Sequence, residues 1–278
     1  MIKMAENNEV IQKVVQELLK RGINIDPKEA MSSLGGKKME TKDLLNSTSV
    51  VPELVGTREI GDTIGMVIPS VDPLLLDQLH VSKKYPVLGI LSARSGAGPH
   101  IMAIDEAVKQ TNTEVIDVEL PRDTKGGAGH GSLIIVGGND PSDARQAINV
   151  ALDNLSRTFG DVYNSAAGHL EFQFTARASG ACNFAFGAPE GKAYGLICGA
   201  PAGIGVVMAD TAVKTASVNV LSFASPGHGT SFSNEGMVHI SGESGAVRQA
   251  VMAGREVGLK LLAELGDKPV NDFPSYIK

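Results

Sequence analysis

Tryptophan does not occur in this chain, and Phe and Tyr together supply only 4% of its residues. So thin an aromatic complement speaks against an aromatic-lined pocket for a large apolar ligand. Cysteine is scarce as well. Cys182 and Cys198 have neither CxxC spacing nor a histidine close by in sequence. A disulfide framework, a zinc motif and a four-thiolate cluster are therefore unsupported, and both residues read as buried thiols of a cytosolic protein. Excess positive charge is missing too: 25 Lys and Arg stand against 31 Asp and Glu, a net charge of −6, with no block of like charges. Nucleic acid has no electrostatic footprint to meet here. No apolar run reaches the length of a membrane span, and Lys13, Glu17 and Lys20 interrupt any signal-peptide core at the N-terminus. A cytoplasmic protein that engages neither nucleic acid nor membrane is the expectation.

What the chain does have is length, apolar content and glycine. Its 278 residues are 42% hydrophobic, enough for two ordinary domains with real cores, and 32 glycines suit tightly packed sheets and subunit seams. Residues 8–23, NEVIQKVVQELLKRGI, carry Val10, Ile11, Val14, Val15, Leu18 and Leu19 at helical spacing, with Asn7 or Asn8 placed to cap the start. The stretch from Asn24 to Thr48 is rich in Pro, Ser, Gly and charge and reads as a linker.

From about residue 49 the texture changes. Strands are predicted over 63–71, 85–93, 113–120 and 132–138, with a short helix over 73–79. SGAGPH (95–100) reads as a turn before a helix over 101–111, and Asp140 or Ser142 is placed to cap a helix over 141–155. The second half repeats the phrase: strand 194–200, turn 201–205, helix 206–216, strand 218–224, strand 237–242 and helix 244–265. DEAVK at 105–109 answers DTAVK at 210–214, and ARQA at 144–147 answers VRQA at 247–250, with an offset that drifts only from 106 to 103. The ordered match marks an internal duplication. Each copy is one small α+β domain, at 49–155 and 157–266, before a tail at 267–278. Two fused copies imply pseudo-symmetry in the assembled particle.

The motifs that carry chemistry are weak. SGAGPH and PAGIG lie between strand and helix, where a phosphate loop would sit. Neither completes G-x-G-x-x-G, since Ile101 and Met208 stand in the last glycine's place, and no P-loop lysine occurs. The six histidines show no metal-ligand spacing, so a metal site can assemble only in three dimensions, and none is expected. GAGHG (127–131) has Gly129 where a nucleophile elbow needs serine, with His130 next to it, and Cys198 has no base written beside it. No catalytic residue and no cofactor are expected. Two polar loops remain, equivalent in the two copies: PRDTKGGAGHG (121–131), with Arg122, Asp123, Thr124, Lys125 and His130, and SPGHGTSFSNEG (225–236), with Ser225, His228, Thr230, Ser231, Ser233 and Asn234. They are either exposed hairpin loops or, gathered around a symmetry axis, the lining of pores.

ARSGAGPHIMAIDEAVK (93–109), ELPRDTKGGAGHGSLIIVGGND (119–140), RTFGDVY (157–163), GHGTSFSNE (227–235) and SGAVRQAV (244–251) together resemble the tandem-domain shell proteins of propanediol-utilisation bacterial microcompartments. The similarity runs from about residue 49 to Lys278. It implies an α+β fold of two tandem, ferredoxin-like, circularly permuted microcompartment (BMC) domains. It further implies a homotrimer with six domain positions that tiles a shell beside other microcompartment shell proteins and passes small polyols through pores. Neither polar loop contains the cysteine that an iron–sulfur cluster at the threefold axis would need, so no cluster is expected.

A non-enzymatic shell protein is thus the leading expectation. A cytosolic enzyme or sensor binding a small polar metabolite between two α+β domains is the alternative. The N-terminal helix is expected to tether encapsulated enzymes, because short amphipathic helices on linkers gain stability in a partner's groove. Gly35-Gly36-Lys37-Lys38 before Met39 also allows a purine-rich ribosome-binding site, and with it a short form starting at Met39. The resembling family has long and short forms.

Overall fold

A computed structural model describes residues 52–121, 131–225 and 234–278. The predicted helix at 8–23, the linker and Met39 lie outside the described residues, as do 122–130 and 226–233. The described residues belong to one compact unit, Thr48–Lys278.

The first half runs β1 (Glu53–Arg58), β2 (Thr63–Ile68), α1 (Pro73–Gln78), β3 (Val87–Ala93), α2 (Ala97–Val108), β4 (Glu114–Glu119), β5 (Ser132–Gly138) and α3 (Pro141–Thr158). The second runs β6 (Val162–Ser165), β7 (Gly168–Thr175), α4 (Gly180–Phe186), β8 (Ala193–Ala200), α5 (Ala202–Thr215), β9 (Asn219–Ala224), β10 (Gly236–Gly242) and α6 (Ser244–Ala263). The sheets have orders β1-β2-β3-β5-β4 and β6-β7-β8-β10-β9, the same antiparallel topology twice. The duplication therefore reaches further than the repeated sequence phrase, since β6, β7 and α4 answer β1, β2 and α1.

Local chemistry accounts for the elements. β2 alternates buried and half-buried residues, as a strand with one covered face should, whereas every residue of β8 is buried. In α3, Ala144, Ala147, Ile148, Ala151, Leu152 and Leu155 recur at helical spacing and form the core against Val67, Leu91 and Val136. Pro141 opens that helix, and of the two capping candidates Asp140 does the work, accepting the Ser142 N–H at 2.6 Å. α6 builds the second core with Val247, Ala250, Val251 and Leu262 against Ile197, Val238 and Ile240.

Two predicted turns are shorter than expected. α2 begins at Ala97 and takes in Gly98, Pro99 and His100, because proline is tolerated in a first helical turn. Gly96 makes this possible with left-handed backbone (φ 85°) and no side chain, since a Cβ there would lie 2.3 Å from Phe159 Cζ. α5 likewise begins at Ala202.

Candidate functional site

The two halves meet where α2 and α4 cover one face of the second sheet. α2 serves two neighbours at once. Ile101, Ala103, Ile104 and Ala107 point into the first core, while Met102 joins Cys182, Tyr194, Leu196 and Cys198 in a cluster across the seam. Asp105, fully buried, accepts the N–H groups of Ser179 and Cys182 at 3.0 Å and the Ser179 hydroxyl at 2.7 Å. Its carboxylate thereby meets the amino-terminal end of α4, and Lys109 Nζ lies 2.9 Å from its other oxygen. Lys109 also reaches Thr175 of β7.

Beneath this contact the second sheet carries an unusual face. On β7, Leu170 and Phe172 enter the core, so His169, Glu171, Gln173 and Thr175 point to the seam. They are joined across the strands by Tyr194 and Cys198 of β8 and by Met237, His239 and Ser241 of β10. Burying polar groups requires partners. Gln173 Nε2 donates to the Thr158 carbonyl at 3.0 Å, Tyr276 Oη donates to Gln173 Oε1 at 2.8 Å, and Tyr194 Oη lies 2.7 Å from His239 Nδ1. Burial pushes the His239 imidazole down to about 4, so at neutral pH it is uncharged beside the stacked pair Phe186 and Tyr194.

The end of this face where β10 begins is the most charged. His169 Nε2 donates to Glu235 Oε1 at 2.8 Å, and Glu235 is only 3% exposed. Glu171 stands across the strand pair from Cys198. Burial, and then the neighbouring Glu235, push the Glu171 carboxyl up to about 7. Gly98 of α2 leaves room for it, because a Cβ there would fall 1.8 Å from Glu171 Oε1. Burial and these two carboxylates also push the Cys198 thiol up. A thiol so held is a poor nucleophile, and the His169 Nε2 proton is engaged by Glu235. Among the described residues, His169, Cys198 and Glu235 are a group of three whose donor atoms lie within 4.8 Å of one another. The sequence expectation of no metal rested on linear spacing, which cannot see donors 29 and 37 positions apart.

Both cysteines are free and buried, as read from the sequence. Of the predicted pore residues, Arg122, Asp123, Thr124, Lys125, His130, His228, Thr230, Ser231 and Ser233 lie outside the described residues. Ser225 is half-buried just after β9. Asn234 is exposed before β10, and its Oδ1 accepts the Ala202 N–H at 3.2 Å, tying the neck of its loop to the start of α5. The neck of the first loop closes through Gly131 N–H to the Pro121 carbonyl at 2.9 Å, beside an open cleft lined by Asp62, Ile64, Ser92, Arg94, Pro121 and Gly131. Of the seam residues, only Cys182 and Cys198 are singled out from sequence, and as buried thiols. One signal was there: GHLEFQFT alternates apolar and polar residues over 168–175, a strand with a polar face.

Known proteins give this geometry a family. The BMC domain model matches twice, over residues 88–167 and 193–269. The bacterial microcompartment shell protein PduB of Limosilactobacillus reuteri is 74% identical over 236 residues, 85% of this chain and 99% of that protein. PduB of Salmonella typhimurium is 57% identical over 271 residues, 98% of this chain and 99% of that protein. A crystal structure of a trimeric bacterial microcompartment shell protein PduB superposes with a TM-score of 0.79 at 73% identity, covering 81% of this chain and all of that one. The chain is thus a structural protein and not an enzyme: with two BMC domains in tandem, each a five-stranded sheet with helices, it belongs to the bacterial microcompartment shell proteins.

Proposed function

We propose that this chain is a shell tile that closes into a homotrimer by repeating, between copies, the contact its own halves make. The contrast between α2 and α5 carries the reading. Ile101 and Met102 are at most 2% exposed. Their counterparts in the DTAVK copy, Val206 and Val207, are 53% and 45% exposed, and Val213 is 38% exposed. The surface that would receive them is the outer face of the first sheet, where Ile64, Met66, Ile90 and Leu133 are only half-buried. In the second half the equivalent face is covered by α2. Docking α5 of each copy on the first sheet of the next is a head-to-tail contact, which closes when the rotation is right. Three doubled chains then fill six positions, the halves being related by approximate sixfold rotation, in keeping with the trimeric relative.

Such a tile would stand with other shell proteins in a propanediol-utilisation compartment. The loops at 122–131 and 225–234 would line polar passages that exchange a polyol's water hydrogen bonds for hydroxyls and amides. The helix at 8–23 would hold cargo enzymes on the inner face, and translation from Met39 would yield tiles without it. The relatives support two lengths, for the matched stretch is 271 residues in one and 236 in the other.

The test is Val207→Glu. A charge at the centre of the docking face is expected to leave circular dichroism of the chain unchanged while light scattering falls from trimer to monomer mass and cells cease to form extended sheets in electron micrographs. A trimer that survives the substitution would overturn the docking mode.

A further inference from the structure

We propose that His169, Cys198 and Glu235 bind one zinc-class divalent ion at the seam between the halves, a structural metal site that ties β7 and β8 to the residue immediately before β10. The donors come from different places in the sheet. His169 lies at the start of β7, Cys198 in β8, and Glu235 immediately before β10. Their ligating atoms lie within 4.8 Å of one another, with His169 Nε2 and Glu235 Oε1 already 2.8 Å apart. Bonds of about 2.0–2.3 Å to a tetrahedral zinc place donors roughly 3.3–3.8 Å apart. Movements of about 1 Å therefore convert the hydrogen-bonded arrangement into a coordinated one.

The donor set selects the metal. One imidazole, one thiol and one carboxylate are the borderline mixture that suits zinc, whereas magnesium and calcium prefer oxygen alone. The fourth ligand falls to water, since Glu171, though across the strand pair from Cys198, lies outside the group of three.

Two independent observations say the cluster is more than chance proximity. Cys198 is 4% exposed, its Sγ faces the other two donors, and no hydrogen bond to its thiol occurs among the described residues. A buried thiol ordinarily sits among apolar neighbours alone, whereas this one is set against an imidazole and a carboxylate. The duplication supplies the second observation. The equivalent positions in the first half are Asp62, Ser92 and Gly131, which line an open cleft. The same topology folds there without this donor set, so the fold does not demand His, Cys and Glu at these places.

The binding test does not depend on the tile reading, because it reads metal alone. Untagged full-length protein is produced with cobalt(II) as the probe in place of zinc. One cobalt per chain is expected after desalting, with a thiolate-to-cobalt charge-transfer absorption in the near ultraviolet that added zinc bleaches. With two cysteines in the chain, the band is assignable: it should persist in Cys182→Ser and vanish in Cys198→Ser. Metal content should fall about ten-fold or more in His169→Gln and in Glu235→Gln, with far-ultraviolet circular dichroism unchanged. Folded wild-type protein that retains no cobalt, or shows no thiolate band, overturns the proposal whether or not the variants fold. A band that survives Cys198→Ser overturns it as well.

Discussion

Asp105 and Asp210 hold the same place in the two copies of one phrase, and their surroundings could hardly differ more. Asp105 is fully buried between Lys109 and the start of α4, whereas the Asp210 side chain is 56% exposed and pairs with Lys214 one turn on. Removing one partner of a buried, hydrogen-bonded charge strands the other, so Asp105→Ala should lower stability by about 3–5 kcal/mol. Asp210→Ala should change it by about 0.5 kcal/mol or less. Urea denaturation of both on the Val207→Glu background separates folding from assembly. His100 offers a second residue-scale prediction. It is completely buried, lies 2.7 Å from Thr63 Oγ1, and burial pushes its imidazole down to about 4 from an ordinary 6.5. The unfolded chain therefore binds the extra proton first. Stability is fully present above about pH 6.5 and is lost as pH falls towards 4, by up to about 3 kcal/mol from this ring. Glu171 acts in the opposite sense between its ordinary value and about 7, so the difference between wild type and His100→Gln, measured at pH 7.5 and pH 4.5, isolates the histidine.

Among the elements, the chain end shows how far a terminal segment can be structural. A tail at 267–278 reads from sequence as a simple appendage, yet Val270 pairs with Asn164 of β6 and Ile277 is 1% exposed. Asp161, fully buried just before β6, gathers it: its carboxylate accepts Arg255 Nη1 at 2.5 Å, Ser275 Oγ at 2.7 Å, the Tyr276 N–H at 3.0 Å and the Ile277 N–H at 3.2 Å. Asp161→Ala should destabilise the second half by about 3–5 kcal/mol by removing the carboxylate that balances the Arg255 charge and leaving two backbone donors unpaired. Limited proteolysis should then cut within residues 267–278 of the variant and spare them in the wild type. Helices α2 and α5 make the complementary point. Their sequences share a pattern, and each contributes to one core, but only α2 has its second face covered.

On the scale of the whole molecule, a doubled chain lets two positions of a ring diverge, and the divergence follows the seam. The outer face of the second sheet holds polar side chains buried beneath α2, while on that of the first Ile64, Met66, Ile90 and Leu133 stay half-buried. A protein beginning at Met39 retains every element of both halves. It is expected to form trimers and sheets to the same extent as the full chain, and shells built from it alone should fail to retain enzyme activity on purification. Met39→Ala in the full-length gene should remove the shorter band from an immunoblot. Normal cargo retention by the truncated tiles would count against the tether, and an unchanged short band against the internal start.

Local periodicity and repetition determined most of the elements, because burial on one face leaves its 2.0 or 3.6 period in the residues themselves. β3, β5, α3 and their counterparts are legible for that reason, as is the duplication. β1 and β6 are not, being short strands with little apolar alternation, and α4 is only seven residues long. The polar face of β7 is present in GHLEFQFT, but nothing local says that it is buried rather than wet, since its cover comes from α2, more than sixty residues earlier. Only the tertiary structure decided that Asp105 is buried and Asp210 exposed. It alone brought His169, Cys198 and Glu235 together, because sheet register joins residues by strand pairing and not by their distance along the chain.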